Sequence, residues 1–460
     1  MNIIITGAGL VGTSLAEELQ RYGHNITVIE RDILRCQELE DKLDARMVHG
    51  SGSNPGVLLA AGLESADMLI AATPTDDVNL VACMIARQYG LPHRIARIRN
   101  AEFLAGDQRL QPEHFGITQI ISPEENTLAA VLNYVETPFT IDAQDFAQRS
   151  VLLRSYNVTE AMPIANRSLA DIRGDTRGTL LLVVAIIRDG EVIIPQGDTV
   201  ILPGDRPLCI FPREAIKNVL SLVNVDAGAK RKAIVFGNTV TAVNIAEALH
   251  NELNSVVFID PDPEHGTLAA ARLDGIDVLH GRGDDIGVLH EANVRFADFF
   301  IAASEHNDGN VLSCLLAKSE GAKEAIAIVT DQQHSDLFLS IGIDHIINPR
   351  QLTASGILNA ILPGFVSTAL HIQKSDIDVL RLRVTSTSRV ANRALKDSWK
   401  RVLGGSIVGA VLRKGDMIIP TGNTVLQPDD TVIVFAHRSG IRKVRKLFGA
   451  VEYVPANGHV

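Results

Sequence analysis

Short apolar runs rich in β-branched residues alternate with helix-like stretches through the first third of the chain. The runs Ile3–Thr6, Asn25–Glu30, Arg46–His49, Met68–Ala72, Arg94–Ile98 and Gln119–Ile121 predict strands. The segments Gly12–Tyr22, Ile33–Leu43, Pro55–Ala61 and Asp77–Tyr89 predict helices, and Pro123 and Glu124 open another over Asn126–Tyr134. Strand and helix alternating through short connections is the pattern of a doubly wound parallel sheet. From about Ile141 the rhythm changes. Val151–Tyr156 and Leu180–Arg188 predict strands around a helical Arg167–Arg173, and the turn signals Pro195-Gln196-Gly197 and Pro203-Gly204-Asp205 cut Glu191–Phe211 into short strands. This second region predicts a smaller α+β domain.

The whole pattern then repeats. Gly7 is answered by Gly237 and Glu30 by Asp260, each 230 residues on, while His49-Gly50-Ser51-Gly52 and His280-Gly281-Arg282-Gly283 stand 231 apart. The segment DMLIAAT at Asp67 returns as DFFIAAS at Asp298. The smaller region repeats as well, with Pro420 against Pro195, and the end of the first region returns with Gly342–Pro349 against Gly116–Pro123. The expected layout is two Rossmann-like doubly wound domains, 1–140 and 229–365, alternating with two small α+β domains, 141–228 and 366–452. Asn224–Lys232 reads as the central linker.

Within this frame the two copies differ at one loop. Gly7-x-Gly9-x-x-Gly12 follows a strand, opens an amphipathic helix, and precedes an acid, Glu30, at the end of the next strand. Gly7 allows the tight turn, Gly9 lets a pyrophosphate approach the backbone, and Gly12 lets the helix pack closely on the sheet. The bared amides and the positive end of the helix dipole suit phosphates. Glu30 suits the ribose hydroxyls and disfavours a 2′-phosphate, so NAD(H) is the expected ligand, with Arg31 softening that preference. His49 is a candidate neighbour of the adenine, Thr73 and Pro74 end the fourth strand on the edge where such sheets bind ligands, and Arg97 is a candidate phosphate or interface contact. In the second copy Asn238 and Thr241–Ala242 replace the close-approach and packing glycines, and the asparagine is expected to stand in the pyrophosphate path. Gly237 and Asp260 remain as candidate contacts there.

Composition narrows the function further. The chain has 460 residues, 46% of them hydrophobic and 21% charged, as in an ordinary globular protein of several domains. A net charge of −11 argues against nucleic acid as partner. Cys36, Cys83, Cys209 and Cys314 sit among apolar neighbours without metal-type spacing, which reads as buried thiols in a reducing cytoplasm. No metal site is expected. A strand beginning at position 2 leaves no room for a signal peptide, and the longest apolar run, Leu180–Ile187, is far too short to span a bilayer. The smaller domains carry no Gly-x-Ser-x-Gly, Tyr-x-x-x-Lys or His-Glu-x-x-His motif, and His371 and His437 have no evident carboxylate partner, so no catalytic residue is assigned. A complete dinucleotide fingerprint without a catalytic domain reads as a sensor. An NAD-dependent oxidoreductase of the two-domain kind is the competing reading.

The segments Ile3–Gly12, Ala66–Cys83 and Ala96–Phe103, with Glu30 and the paired Ile-Ile-Pro-x-Gly-x-Thr-Val runs at Ile193–Val200 and Ile418–Val425, resemble the tandem regulator-of-potassium-conductance family of Trk-type potassium uptake regulators. The resemblance spans essentially the whole chain. It implies a non-enzymatic cytoplasmic subunit, assembled as a dimeric or tetrameric ring at the cytoplasmic face of the inner membrane. Such a subunit gates a TrkH/TrkG-type transporter according to bound nucleotide. Carried over residue by residue, the dinucleotide contacts are Gly7, Ala8, Gly9, Leu10, Val11, Glu30, Ser51, Thr73, Pro74 and Ile98, beside the Gly12 already assigned. Relatives that sense ATP or ADP keep a second reading open. Some carry an arginine at the place of Leu10, and leucine cannot neutralise a third phosphate, which favours NAD(H) at the first site. The family often retains a glycine fingerprint in its second copy, and Gly237–Ala242 has largely lost it.

Overall fold

The computed structural model describes residues 1–21, 23–100, 103, 111–146, 149–175, 181–331, 334–361, 377–399, 406–414, 416–437 and 440–449. Tyr22, Ala101, Glu102, Leu180, His371, Gly415, the junction expected at 365/366 and the end expected at 452 lie outside the described residues.

The first sheet is built from β1 (Asn2–Thr6), β2 (Asn25–Glu30), β3 (Arg46–His49), β4 (Met68–Ala71), β5 (His93–Arg97) and β6 (Gln119–Ile121). The strands are parallel in the order β3-β2-β1-β4-β5-β6. Helices α1 (Leu10–Arg21), α2 (Ile33–Glu40), α3 (Pro55–Ala60) and α4 (Asp76–Gln88) cross between them, and α5 (Pro123–Glu136) follows β6. Ile3, Ile4 and Ile5 of β1 are all buried, as expected of a strand covered on both faces. Leu15 and Leu19 of α1, four residues apart, are buried too.

The first small domain runs through β7 (Thr140–Phe146), β8 (Val151–Tyr156), β9 (Arg167–Ser168), α6 (Leu169–Asp175), β10 (Leu182–Arg188), β11 (Glu191–Ile193), β12 (Val200–Ile201), β13 (Arg206–Pro212) and α7 (Ile216–Leu222). Its main sheet is antiparallel, in the order β11-β10-β13-β8-β7, and β12 pairs with β9. The second half repeats both layouts. Strands β14 (Lys232–Phe236), β15 (Ser255–Asp260), β16 (Asp277–His280), β17 (Phe299–Ala302), β18 (Glu324–Ile328) and β19 (His345–Ile347) form a parallel sheet in the same winding order, β16-β15-β14-β17-β18-β19. Helices α8 (Val240–Glu252), α9 (Pro263–Arg272), α10 (Ile286–Glu291), α11 (Asn307–Ser319), α12 (Ser335–Ser340) and α13 (Pro349–Ile361) accompany it. The last domain holds β20 (Ile377–Arg383), β21 (Arg393–Ala394), α14 (Leu395–Ser398), β22 (Ser406–Arg413), β23 (Asp416–Ile418), β24 (Val425–Leu426), β25 (Thr431–His437) and α15 (Ile441–Phe448), its main sheet ordered β20-β25-β22-β23. The mixed α/β architecture agrees with the expectation from sequence.

The chain forms two compact units, and each is assembled from both halves. One contains Met1–Asn126 together with α13, whose Gly356 places its Cβ position 3.6 Å from Ile121 at the end of β6. The other contains Thr127–Asn348 and the last small domain. There the end of α5 is held by residues of the second parallel sheet. Tyr134 stacks on His345 with ring centroids 3.9 Å apart, and Arg231 Nη1 donates to Val135 O at 3.1 Å. The buried pair His345–Glu324 lies beneath, and Glu324 Oε2 also accepts the Phe139 N–H at 3.0 Å. In the same unit the two small domains share one apolar cluster, in which Val151, Leu153 and Ile210 meet Val379, Ile433 and Phe435.

Strand β7 does not follow from apolar alternation. Its Asp142 points inward and is satisfied by Ser155 and by an ion pair with Arg206. Its Asp145 pairs at 2.8 Å with Arg154, whose side chain is fully buried. Buried charge needs such pairing, and here polar residues occupy inward positions that hydrophobicity alone assigns to apolar ones.

Candidate functional site

The carboxyl edge of the first sheet is built around the turn between β1 and α1. Gly7 takes φ +93°, and an added Cβ would crowd Thr73 Cα at 3.1 Å, so only glycine fits between the two strand ends. An added Cβ on Gly12 would stand 1.9 Å from Gly7 O. Gly9 is the opposite case, because nothing lies within 4 Å of its Cβ position. It immediately precedes α1 and has no side chain with which to cap it, so the first amides of the helix are left for another partner. Ala8 and Val11 are buried against the fold, while Leu10 is exposed.

Glu30 closes the next strand and is tied to this loop. Its Oε2 accepts the Ala8 N–H at 2.7 Å, and its Oε1 accepts those of Arg31 and Asp32 at 2.8 and 3.0 Å. A carboxylate offers about four acceptor positions, so one remains for a ribose hydroxyl. His49 Nε2 lies 3.1 Å from Arg31 O. Ser51 Oγ pairs with Ser53 Oγ at 2.9 Å, in a loop whose Gly52 presses on Thr6.

At the end of β4, Thr73 is clamped by Asn79. The Asn79 Oδ1 accepts the Thr73 N–H and hydroxyl at 3.0 and 2.7 Å, and its Nδ2 donates to Thr73 O and Arg97 O. Pro74 is exposed beside it. Arg97 Nη1 donates to Thr73 O at 3.1 Å, and its Nε is buried with no partner among the described residues. Burial, and after it the charge of Arg99, holds this guanidinium below its ordinary value. Ile98 has a fully buried side chain, and its N–H bonds Ile121 O, so only its carbonyl remains for a ligand. Gly7, Gly9, Gly12, Glu30, Ser51, Thr73 and Pro74 thus gather on one sheet edge, with the Ile98 side chain in the core below. Sequence reading missed Asn79. Its signal was a buried asparagine inside an apolar helix, repeated 231 residues on as Asn310, which clamps Ser304 in the same way.

The second copy fills its own loop. Gly237 is required by contact with Ala303, its Cβ position lying 2.6 Å from that carbonyl. Thr239, rather than Asn238, occupies the place of Gly9. Its hydroxyl accepts the Ala242 N–H at 3.1 Å and donates to Ala303 O at 2.7 Å, so it caps α8 where the first copy leaves α1 open. The offset of 230 assigns Asn238 to Ala8, which corrects the expectation that Asn238 blocks a pyrophosphate. Asp260 is fully buried, with one oxygen on the Asp262 N–H and the other 2.5 Å from His265 Nδ1.

Among the described residues no group of three or more His, Cys, Asp or Glu is placed to hold a metal ion, and no helix is long and apolar enough to cross a membrane. The TrkA-N domain model matches residues 3–123 and 233–349, and the TrkA-C domain model matches 153–224 and 379–449. The chain belongs to the TrkA family. Trk system potassium uptake proteins TrkA of Azorhizobium caulinodans and Halomonas elongata are 32% and 33% identical to it, each across 97% of this chain and 98% of the relative. A TrkA homolog of Archaeoglobus fulgidus is 29% identical across 97% of this chain and all of its own. Among solved structures, the GsuK RCK domain superposes with a TM-score of 0.60 at 17% identity, covering 97% of this chain and 95% of the other. The GsuK channel bound to NAD gives 0.60 at 16% identity, covering 97% and 79%. These distant structures share the TrkA-family fold.

Proposed function

We propose that the chain is the nucleotide-sensing regulatory subunit of a Trk-type potassium uptake system, reading NAD(H) at its first parallel-sheet domain. The observation that carries this is the open space over Gly9. Gly9 precedes α1 with no side chain to cap it, and Glu30 is bonded to the same loop. Dinucleotides need that combination of a bare loop, a helix N-terminus and a ribose acid. Leu10, exposed on the loop, brings no positive charge to a third phosphate, which supports a dinucleotide over ATP. The contacts are Gly7, Ala8, Gly9, Leu10, Val11, Gly12, Glu30, Ser51, Thr73, Pro74 and the Ile98 backbone.

The regulatory role rests on the TrkA-family relatives that are named potassium uptake proteins. The subunit works by differential binding. Oxidised and reduced dinucleotide favour different arrangements of the assembled subunits, and the shift equals the difference in their affinities for those arrangements. It acts on a membrane potassium transporter of the TrkH/TrkG type from the cytoplasmic face, as a homo-oligomer, and carries out no catalysis. The second parallel-sheet domain, its helix already capped by Thr239, serves assembly.

Calorimetric titration of the full chain with NAD, NADH, ATP and ADP tests the reading. Binding of NAD or NADH at one site per chain is expected, with weaker binding of ATP. Preference for ATP, or two equal sites per chain, overturns it.

A further inference from the structure

Arg35 reaches the glycine loop from the neighbouring helix α2: its Nε donates to Ala8 O at 2.7 Å. It sits in the first turn of α2, just past the capping Asp32, and helical side chains lean toward their own N-terminus, which carries the guanidinium back over the loop. Thr13 Oγ1 donates to the same carbonyl at 3.0 Å. Ala8 is therefore gripped at both ends, its N–H by Glu30 and its C=O by Arg35 and Thr13.

In a trans peptide the C=O and the following N–H point in opposite directions. Holding the Ala8 carbonyl toward Arg35 turns the Gly9 N–H the other way. The terminal nitrogens of Arg35 make no hydrogen bond among the described residues, so Nε alone holds it to the loop. The second copy provides the contrast. At the position 230 residues on stands His265, which turns to Asp260 rather than to its loop.

We propose that Arg35 is a positioning residue for the dinucleotide, fixing the Ala8–Gly9 peptide so that the Gly9 N–H meets the pyrophosphate. The proposal rests on the dinucleotide reading of the first site. It assigns Arg35 a role in pyrophosphate recognition and none in adenosine recognition.

The test is a set of titrations of the full-length protein and of Arg35→Ala, Arg35→Lys and Arg35→Gln with NADH, ADP-ribose and adenosine. Arg35→Ala is expected to bind NADH and ADP-ribose about tenfold or more weakly, in line with the loss of a charge-assisted hydrogen bond, and adenosine within about twofold of the parent. Arg35→Lys and Arg35→Gln, which each keep an N–H donor, are expected to recover part of the loss, and they replace the alanine variant if it does not fold. Parent-like NADH affinity in Arg35→Ala, or in both Arg35→Lys and Arg35→Gln where the alanine variant does not fold, overturns the proposal, as does an equal loss for adenosine and ADP-ribose. A parent protein that binds neither NADH nor ADP-ribose overturns the dinucleotide reading itself, and this inference with it. Binding by the parent with no change in the variants overturns only the role of Arg35.

Discussion

The Ala8 N–H rests on Glu30 Oε2 at 2.7 Å, so the acid that ends β2 and the glycine loop form one hydrogen-bonded unit. Removing Glu30 therefore affects two things at once: the proposed ribose acceptor is lost, and three backbone N–H groups lose theirs. Glu30→Ala is expected to weaken NADH binding at least tenfold and to cost about 1–3 kcal/mol of stability in the first parallel-sheet domain. NADH fluorescence titration and thermal unfolding check the two parts separately.

The loop glycines differ in what they tolerate. Gly12→Ala drives a methyl to 1.9 Å from Gly7 O, so the loop must shift, at about 1–3 kcal/mol, and dinucleotide binding is expected to fall sharply. Gly9 has free space, so Gly9→Ala is expected to leave the thermal midpoint nearly unchanged while lowering affinity. Equal thermal losses in both variants would contradict this distinction.

In the second copy the same place carries a cap. Thr239→Ala removes the hydroxyl that serves both Ala242 N–H and Ala303 O. A loss of about 1–2 kcal/mol is expected, read by chemical denaturation, with no change in NADH affinity.

Arg154 and Asp145 form a pair in which the arginine is wholly buried, and Arg154 also donates to Thr137 Oγ1 at 2.7 Å. Among the described residues, Arg154→Ala leaves the carboxylate of Asp145 with only the partly exposed Arg149 as charged partner. The expected cost is about 3–5 kcal/mol, seen as a lower midpoint of unfolding.

The thiols give a pH dependence of defined sign. Burial pushes Cys83 and Cys209 up to about 12 and raises Cys314 further. Their folded values lie above the unfolded ones, so they add stability below about pH 9 that is lost as pH rises from there toward 12. Stability is expected to fall across that window, and less so in Cys83→Ala with Cys209→Ala. At pH 8 these thiols are expected to resist alkylation until the protein is denatured.

Much of this was legible from residue order. Apolar runs such as Ile3–Thr6 and Met68–Ala71 have no solvent-facing side, and that alone points to a strand in a parallel sheet with helices on both faces. The glycine spacing and Glu30 likewise mark one sheet edge. Three features were not legible. β7 carries Asp142 and Asp145 inward, and only their partners on other strands, Ser155 and Arg154 on β8 and Arg206 on β13, make that possible. The apolar face of α5 announces burial without naming its neighbour, so Tyr134 gives no hint that it stacks on His345. The contact between Arg35 and Ala8 spans two elements and leaves no periodic trace.

The grouping of α13 with residues 1–126, and of Thr127–Glu136 with the later half, bears on how such a chain arose. A protein of half this length would have the helix that follows its sixth strand but no foreign sheet to receive it, except that of a second molecule. Joining two such sequences end to end makes the encounter certain at any concentration. It also frees the two halves from having to remain identical. After that one loop could keep its three glycines while the other filled with Thr239, an asymmetry unavailable to a pair of identical chains.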